Sequence, residues 1–464
     1  MGGKSELRPG PFRLERPHNS SCFKRACHVV FATAAVGFVF LQVSRSFFRA
    51  GVSGECPQSG SDIDCQQTPL PTGIDTERKY CPSLSERSET YEFKNLTSFS
   101  LLEGFGLFAN DAPWDSNVNG SIFFRPGKAD QSADIRVDIS LNSSSESIIQ
   151  KTQIEQLEES LLVTFPAKAN DSSAPNRWCL DFVIDVFVRP GTELQHLGLD
   201  ASVSQVLVQE GIDLRVVQTS ISVTFGTLRV EAPFQSSHTS IHMRYGSVFG
   251  NYTVEDSLNI RTNFGAVVAS IAPISAMSRT DVPSILDITS ESGLIHVEYP
   301  YAGFGHIFER PYFTTIATET GSVRGRYLLG AETSIKSSSG SIDADILPYL
   351  VTNFSTLITN STLGSQHFRL VIPEKSHITS IGNLRSTHVT TAGQLRMQYP
   401  EQWEGSLYGE TTVGSIRVEG KLDHIKEGSK GVVGRWVKAL KGQGGSNMTF
   451  RTTFGRAYLS FGST

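Results

Sequence analysis

The chain has 464 residues, with 41 Lys and Arg against 46 Asp and Glu, so its formal net charge is −5. Hydrophobic residues make up 39% and charged residues 19% of the chain, which excludes a globally disordered protein. A nucleic-acid-binding groove requires a clear excess of basic residues, and the absence of one argues against a nucleic-acid partner.

The first feature in chain order is an uncharged, mostly apolar stretch at residues 26–44, bounded by Arg25 and Arg45. Nineteen such residues are long enough for one membrane-spanning helix. Six basic residues precede the stretch, and Arg45 and Arg49 follow it, so the positive-inside rule places residues 1–25 in the cytosol. We predict an uncleaved signal-anchor; a cleaved signal peptide and a buried soluble helix are the alternatives.

This orientation places the rest of the chain in the lumen of the secretory pathway or outside the cell. Nine of the 15 Asn residues lie in Asn-x-Ser/Thr sequons, which mark candidate glycosylation sites in such a compartment. Eight follow the apolar stretch: Asn95, Asn119, Asn142, Asn170, Asn251, Asn353, Asn360 and Asn447. We therefore predict a glycoprotein of the secretory pathway or cell surface.

Four of the six cysteines also follow the apolar stretch: Cys56, Cys65, Cys81 and Cys179. In an oxidising compartment they predict two disulfides, with three possible pairings. None has the close Cys or His spacing of a zinc site, and no motif calls for a cofactor.

Residues 45–92 are poor in aliphatic side chains and rich in Pro and Ser, which predicts a stalk between the membrane and an outer domain. Residues 93–195 contain period-two alternation of apolar and polar residues, as in Ile135 to Leu141, and predict a β-rich region. Between Gln150 and Leu161 a short helix is possible, and a strand through Leu161 to Phe165 is the alternative.

The most informative pattern lies in residues 196–464, where a glycine recurs in a bend that is followed by an alternating apolar segment. Examples are Tyr245-Gly246-Ser247-Val248 and Ser339-Gly340-Ser341-Ile342. The bend glycines are Gly226, Gly246, Gly265, Gly293, Gly321, Gly340, Gly393, Gly414 and Gly455. Most intervals are close to 20 residues, a multiple of 20, or 20 plus a loop. The 53-residue interval after Gly340 fits poorly.

A fixed period near 20 with period-two strands predicts a β-solenoid, in which each coil contributes short strands that stack on the next coil. Glycine is expected where the bend needs a positive φ or leaves no room for a Cβ atom. The alternative is a β-sandwich with regularly spaced hairpins. Recurrence of the same residue at the bend favours the solenoid, so the predicted fold class is all-β, with one N-terminal transmembrane helix.

The Thr320-Gly321-Ser322-Val323 and Ser339-Gly340-Ser341-Ile342 bends, after a strand that ends in Pro190 to Leu194, resemble the putative-adhesin β-solenoid domain family. The likeness covers about residues 180–464, and with the anchor in front the arrangement resembles fungal single-pass membrane members. The resemblance implies adhesion at a cell surface and carries over no catalytic residue.

Two functions follow from these observations. The first is a membrane-anchored glycoprotein whose solenoid binds or scaffolds a glycan or protein ligand without catalysis. The second is a carbohydrate-active β-helix enzyme, for which Asp343 and Asp345 on one strand face are the candidate carboxylates. His238 and His242 also share a strand face and could ligate a metal, although surface histidines explain them as well. A basic segment around Trp436 could contact an anionic glycan or a membrane, or pack on the domain.

Overall fold

The computed structural model describes residue 81 and residues 84–105, 117–166, 178–274, 282–299, 310–348, 354–372 and 381–462. All of them belong to one compact unit, 79–464.

The described elements are 26 strands and one helix, α1 (Glu146–Lys151). The strands are β1 Ser85–Phe93, β2 Ser98–Phe105, β3 Asn117–Pro126, β4 Ile135–Ser143, β5 Gln153–Gln156, β6 Ser160–Phe165, β7 Cys179–Val188, β8 Thr192–Val208, β9 Leu214–Val230, β10 Gln235–Val254, β11 Ser257–Phe264, β12 Val267–Pro273, β13 Ser284–Ser292, β14 Ile295–Glu298, β15 Tyr312–Thr320, β16 Val323–Leu329, β17 Glu332–Ser339, β18 Ile342–Pro348, β19 Ser355–Leu363, β20 Gln366–Leu370, β21 Leu384–Ala392, β22 Leu395–Tyr399, β23 Gly405–Glu419, β24 His424–Lys430, β25 Gly434–Lys441 and β26 Ser446–Phe461.

The strands form two hydrogen-bonded ladders that meet at the bend glycines. The first ladder contains the segments that precede each bend, in the spatial order β5, β6, β2, β8, β9, β10, β11, β13, β15, β17, β19, β21, β26, β23, β25, β24. The second contains the segments that follow each bend, in the order β1, β4, β7, β3, β8, β9, β10, β12, β14, β16, β18, β20, β22, β26, β23. From β8 to β22 every described pairing is parallel, whereas a sandwich of hairpins would pair its strands antiparallel.

The core lies between the ladders and follows from the period-two alternation of each strand. In the first ladder one buried row runs through Ile221, Ile241, Ile260, Ile288, Ile316 and Ile335, each directly in register with the next. In the second ladder the corresponding row runs through Leu228, Val248, Val267, Ile295, Val323 and Ile342. Both rows belong to one continuous hydrophobic cluster. β-Branched side chains favour such pleated, stacked positions.

At the C-terminal end the spatial order of the strands differs from their order in the sequence. β26 pairs with β21 and β22 on one side and with the earlier strand β23 on the other. Between β23 and β26 the chain forms an antiparallel hairpin of β24 and β25, and β25 covers residues Gly405 to Thr411 of β23. The last strand therefore inserts between two segments that precede it.

At the N-terminal end both ladders continue beyond β8, first with parallel pairs through β2 and β3 and then, farther out, with the antiparallel pairs β5–β6, β4–β7 and β1–β4. Apart from Phe93, β1 lies in the range 45–92 that was predicted as a stalk, and it pairs with β4 over its full length. The first six residues of β1, Ser85 to Thr90, are all polar, and apolar side chains appear only at Tyr91 and Phe93, so its sequence lacks the long apolar face that identifies a strand. β8 crosses the predicted boundary between residues 195 and 196, and β2 and β3 pair with it directly. The ambiguous segment forms α1 followed by strands β5 and β6.

No helix in the described part of the chain is long and apolar enough to span a membrane. Residues 26–44, where the signal-anchor is predicted, lie outside the described residues.

Candidate functional site

The bend glycines stack directly on one another at the corner where the ladders meet. A Cβ atom added to Gly246 would lie 1.7 Å from the carbonyl oxygen of Gly226, and one added to Gly340 would lie 1.9 Å from that of Gly321. Gly340 also has a φ of 155°. We call a first-ladder segment, its bend glycine and the following second-ladder segment one rung. Since real Cβ atoms do not approach a backbone oxygen so closely, only glycine at these positions allows adjacent rungs to pair through the corner. All nine bend glycines take part in this glycine column.

The column has a tenth member that the sequence pattern missed. Gly364 lies between Gly340 and Gly393, and its Cβ would meet the oxygen of Gly340 at 2.0 Å. It divides the poorly fitting 53-residue interval into two ordinary ones. The aliphatic residue expected two positions after the glycine is Gln366, which is buried in the second-ladder row between Ile342 and Leu395.

The residue before each bend glycine lies on the outer surface of the corner, and we call this series the corner row. It consists of Phe225, Tyr245, Phe264, Ser292, Thr320, Ser339, Leu363, Ala392, Phe454 and Val413 in spatial order, and Val203, which precedes Ser204, extends it at the N-terminal end. The rings of Phe225, Tyr245 and Phe264 stack with centroid distances of 4.8 and 5.3 Å and interplanar angles of 2° and 5°. Tyr245 is 39% and Phe264 45% exposed. The corner row therefore presents a rigid aromatic ridge to solvent.

The candidate carboxylates of the enzyme alternative lie on the outer face of β18, and each has a basic partner on β20. Asp345 accepts two hydrogen bonds from Arg369, at 2.6 and 2.7 Å. Asp343 lies 3.1 Å from Nδ1 of His367. An ion pair with Arg369 and a hydrogen-bond contact with His367 give these carboxylates partners on the neighbouring strand, so a hydrolytic role for Asp345 would first have to displace Arg369.

A buried polar cluster interrupts the isoleucine row where β19 and β21 continue it. Thr359 and His388 take the next two positions of that row, and Gln366 faces them from the second ladder. The Thr359 hydroxyl donates to Gln366 Oε1 at 2.6 Å, so it accepts from His388 Nδ1 at 2.8 Å. His388 Nε2 then accepts from the Tyr399 hydroxyl at 2.9 Å. This arrangement fits a neutral imidazole with its proton on Nδ1.

Burial lowers the pKa of His388 to about 3. A histidine in the unfolded chain titrates near pH 6.5, so between these values only the unfolded state binds the proton and stability falls as the pH is lowered. When the pH is lowered from 6.5 to 4.5, we expect the free energy of unfolding of wild type to fall by about 2 to 3 kcal/mol more than that of His388→Gln. Denaturant unfolding of both proteins at the two pH values measures this. A stability difference that does not change with pH would contradict the neutral, buried imidazole.

Glu103 on β2 closes the N-terminal end of the corner. Its Oε2 accepts from the backbone N–H groups of Ser202 and Val203 at 2.9 and 3.2 Å and from the Ser204 hydroxyl at 3.1 Å. Burial outweighs these hydrogen bonds and raises the pKa of Glu103 to about 7. The stability that Glu103 contributes through its raised pKa is present below pH 4.5 and is lost as the pH rises through 7. This pH dependence has the opposite sign to that of His388, whose burial lowers stability as the pH falls. The comparison with His388→Gln cancels this contribution because both proteins contain Glu103.

One of the possible cysteine pairings is present. Cys81 and Cys179 form a disulfide with a Cα–Cα distance of 5.7 Å, which ties the residues before β1 to the start of β7. Cys56 and Cys65 lie outside the described residues.

The predicted glycosylation sites lie mainly on the surface. Five of the eight sequon asparagines are exposed: Asn95, Asn119, Asn251, Asn360 and Asn447. Asn142 is half-buried, and Asn170 and Asn353 lie outside the described residues. Their modification stays a prediction.

The two histidines considered as metal ligands have separate polar neighbours. His238 Nδ1 lies 3.0 Å from Ser257 Oγ, and His242 Nε2 lies 3.3 Å from Asn263 Oδ1. Among the residues that the structure describes, no group of three or more His, Cys, Asp or Glu could hold a metal ion.

No family model matches the chain, and no curated protein matches it. Several solved structures resemble it at low identity, including two putative adhesins and a putative cell adhesion protein. A putative adhesin from Parabacteroides merdae has a TM-score of 0.29 and 9% identity, covering 82% of this chain and 97% of that chain. A putative cell adhesion protein from Clostridium sporogenes has a TM-score of 0.14 and 7% identity, with 81% and 100% covered. A putative adhesin from Bacteroides fragilis has a TM-score of 0.19 and 9% identity, with 82% and 99% covered. Likeness at these TM-scores carries no argument about function.

Proposed function

We propose that the protein is a single-pass, membrane-anchored glycoprotein that displays a β-solenoid at the cell surface or in the secretory pathway for adhesion, binding or scaffolding. The apolar stretch at residues 26–44 and the eight sequons after it support this cellular location. The Cys81–Cys179 disulfide agrees with an oxidising compartment.

The parallel pairings support the solenoid. Each rung consists of a first-ladder segment, the bend glycine and a second-ladder segment, and the chain then returns to begin the next rung, as from β11 and β12 to β13 and β14. Ten glycines stacked at the spacing of neighbouring strands, with nine intervals between them, extend over roughly 43 Å. Such a stack exposes long rows of side chains at fixed spacing and suits extended-surface binding.

The observation that carries the binding function is the aromatic ridge of the corner row. Large apolar side chains that remain exposed in a contiguous patch mark interaction surfaces. The rings of Phe225, Tyr245 and Phe264 are held in place by one another, so a partner that packs on them orders few additional groups. Their faces cover one another, which leaves the ring edges and the outer face of Phe264, above Ser292, for contact.

The experiment displays the full chain on a host cell and measures retention of the cells on printed glycans and on partner cells. We expect retention above that of untransfected cells. Tyr245→Ser with Phe264→Ser should weaken binding by about 30-fold, as for an interface residue worth about 2 kcal/mol. Val217→Ser, which removes a 45% exposed apolar side chain outside the corner row, is the matched control. No retention of wild type on any surface, or equal retention of the double variant, would contradict the proposal.

A further inference from the structure

The β24–β25 hairpin extends the first ladder at its C-terminal end and carries a distinct set of side chains on its outer face. The antiparallel register aligns Tyr408 of β23 with Lys438 of β25, and Lys438 with Lys426 of β24. Two residues along, it aligns Glu410 with Trp436, and Trp436 with Gly428. Directly opposite residues share one face of a sheet, so two aromatic and two basic side chains lie together.

The aromatic side chains of this face bound an open groove of about 460 Å³, lined by Tyr408, Trp436 and Lys438. The indole of Trp436 lies flat against Gly428, where an added Cβ atom would be 2.6 Å from the ring. Lys438 Nζ lies 5.5 Å from the centroid of the Tyr408 ring. The indole is thus fixed on one side by the glycine and open on the other, beside an ammonium group.

The charge of the hairpin is opposite to that of the chain. Residues 420–442 contain six Lys or Arg and two Asp or Glu, a net charge of +4, whereas the whole chain carries −5. Glu410 is the acid on the face, and it is bound by Lys430 at 2.5 Å and Arg451 at 2.9 Å. Among the described residues, Glu410 forms no ion pair with Lys438.

Lys426 and Lys438 face each other directly across β24 and β25. Like charges at directly opposite positions destabilise an antiparallel pair. Within the described residues neither lysine has an ion-pair partner. The pair therefore adds a local positive potential beside the groove without stabilising the hairpin, which points to an anionic ligand.

We propose that the groove formed by Tyr408, Trp436 and Lys438, together with Lys426, binds an acidic polysaccharide. The inference rests on the proposed function, because it names the ligand class of a surface-displayed binding protein. The ring face of a sugar residue is apolar and packs on an aromatic side chain, while its carboxylate or sulfate pairs with the two ammonium groups.

The alternative ligand of the hairpin is a lipid membrane, which would contact the residues at the hairpin tip. Val432 at the tip is 99% exposed, whereas Trp436 and Tyr408 are half-buried. Interfacial insertion uses projecting apolar side chains. The groove aromatics instead lie flat on the sheet, which favours a glycan in the groove.

The test measures binding of the full chain, in a neutral detergent, to polygalacturonate, dextran sulfate and uncharged dextran at low and physiological salt. We expect binding to both acidic polymers, none to dextran, and weaker binding as salt rises. Lys426→Gln with Lys438→Gln should weaken binding at least about tenfold and leave the melting temperature unchanged or raised. Trp436→Leu should weaken binding at unchanged charge. Lys336→Gln, an exposed lysine on β17, is the matched control.

Several results would overturn the inference. One is that the Lys426→Gln, Lys438→Gln variant binds acidic polymers as strongly as wild type. Another is that wild type binds uncharged dextran as strongly as the acidic polymers. A third is that wild type prefers phosphatidylserine vesicles and that this binding is lost in Val432→Asp. If acidic polymers do not bind but displayed cells are still retained through Tyr245 and Phe264, this inference fails and the proposed function stands. If wild-type cells are also not retained, both fail.

Discussion

Replacing Gly321 with alanine should lower the free energy of unfolding by about 3 kcal/mol or more, the upper range for overpacking a filled site. The added Cβ atom would lie 1.9 Å from the carbonyl oxygen of Gly293 and 2.7 Å from its carbon. Both are backbone atoms of the neighbouring rung, so the overlap can be relieved only if the rungs separate at the corner. Denaturant unfolding of the full chain measures the loss.

Gly104→Ala is the matched control for this substitution. The Cβ atom added to Gly104 would lie 3.5 Å from Ser202 Oγ, an ordinary contact, so the change should stay within about 1 kcal/mol. Gly442, which also lies outside the glycine column, is a less suitable control because its φ of 62° would strain any other residue. Equal losses in Gly321→Ala and Gly104→Ala would count against the stacked corner.

Removal of the Cys81–Cys179 disulfide by Cys81→Ser with Cys179→Ser should cost about 4 kcal/mol of stability. The bond closes a loop of 98 residues, and the chain-entropy model assigns a cross-link of that span between about 4 and 5 kcal/mol. Both cysteines are buried, so each serine hydroxyl would also need a hydrogen-bond partner.

The measurement compares wild type and the double variant in denaturant with and without dithiothreitol. We expect reduction to bring wild type down to the stability of the double variant and to leave the variant unchanged. Wild type that keeps its full stability after verified reduction of this bond would show that it contributes little.

The sequence predicted the repeating part of the fold because one constraint acts at every rung. Glycine at the corner and alternation on both sides are local signals, and they identified nine members of the glycine column. Gly364 was missed because Gln366 replaces the expected aliphatic residue, and the reason for Gln366 is its contact with Thr359 across the core. Thr359 and Gln366 are 7 residues apart in the sequence and lie on different ladders, so their contact does not appear as a periodic pattern in the sequence.

The order of the last two rungs could not be predicted for a related reason. The segments around Gly414 and Gly455 have the same bend and the same alternation, so either fits next to Gly393. The β24–β25 hairpin occupies the outer side of β23, which leaves the position beside β21 to β26. Tertiary packing decides this order.

The candidate binding surfaces were visible only in part. The sequence singled out the basic segment around Trp436, but it did not show that Tyr408 lies beside it or that Lys426 faces Lys438. In the sequence, the residues of the aromatic ridge directly precede the bend glycines Gly226, Gly246 and Gly265. Their stacking depends on the register between rungs, which residue spacing alone does not fix.

Disulfide trapping across two neighbouring rungs tests the parallel stack most directly. Lys336 and Asn360 are exposed and directly in register on β17 and β19, within the Cα separation that a disulfide spans. Mass spectrometry of the full chain carrying Lys336→Cys with Asn360→Cys should find these two peptides cross-linked. Lys336→Cys with Val389→Cys, two rungs apart, should give no link. A link in the second pair but not in the first would contradict the stacked parallel rungs.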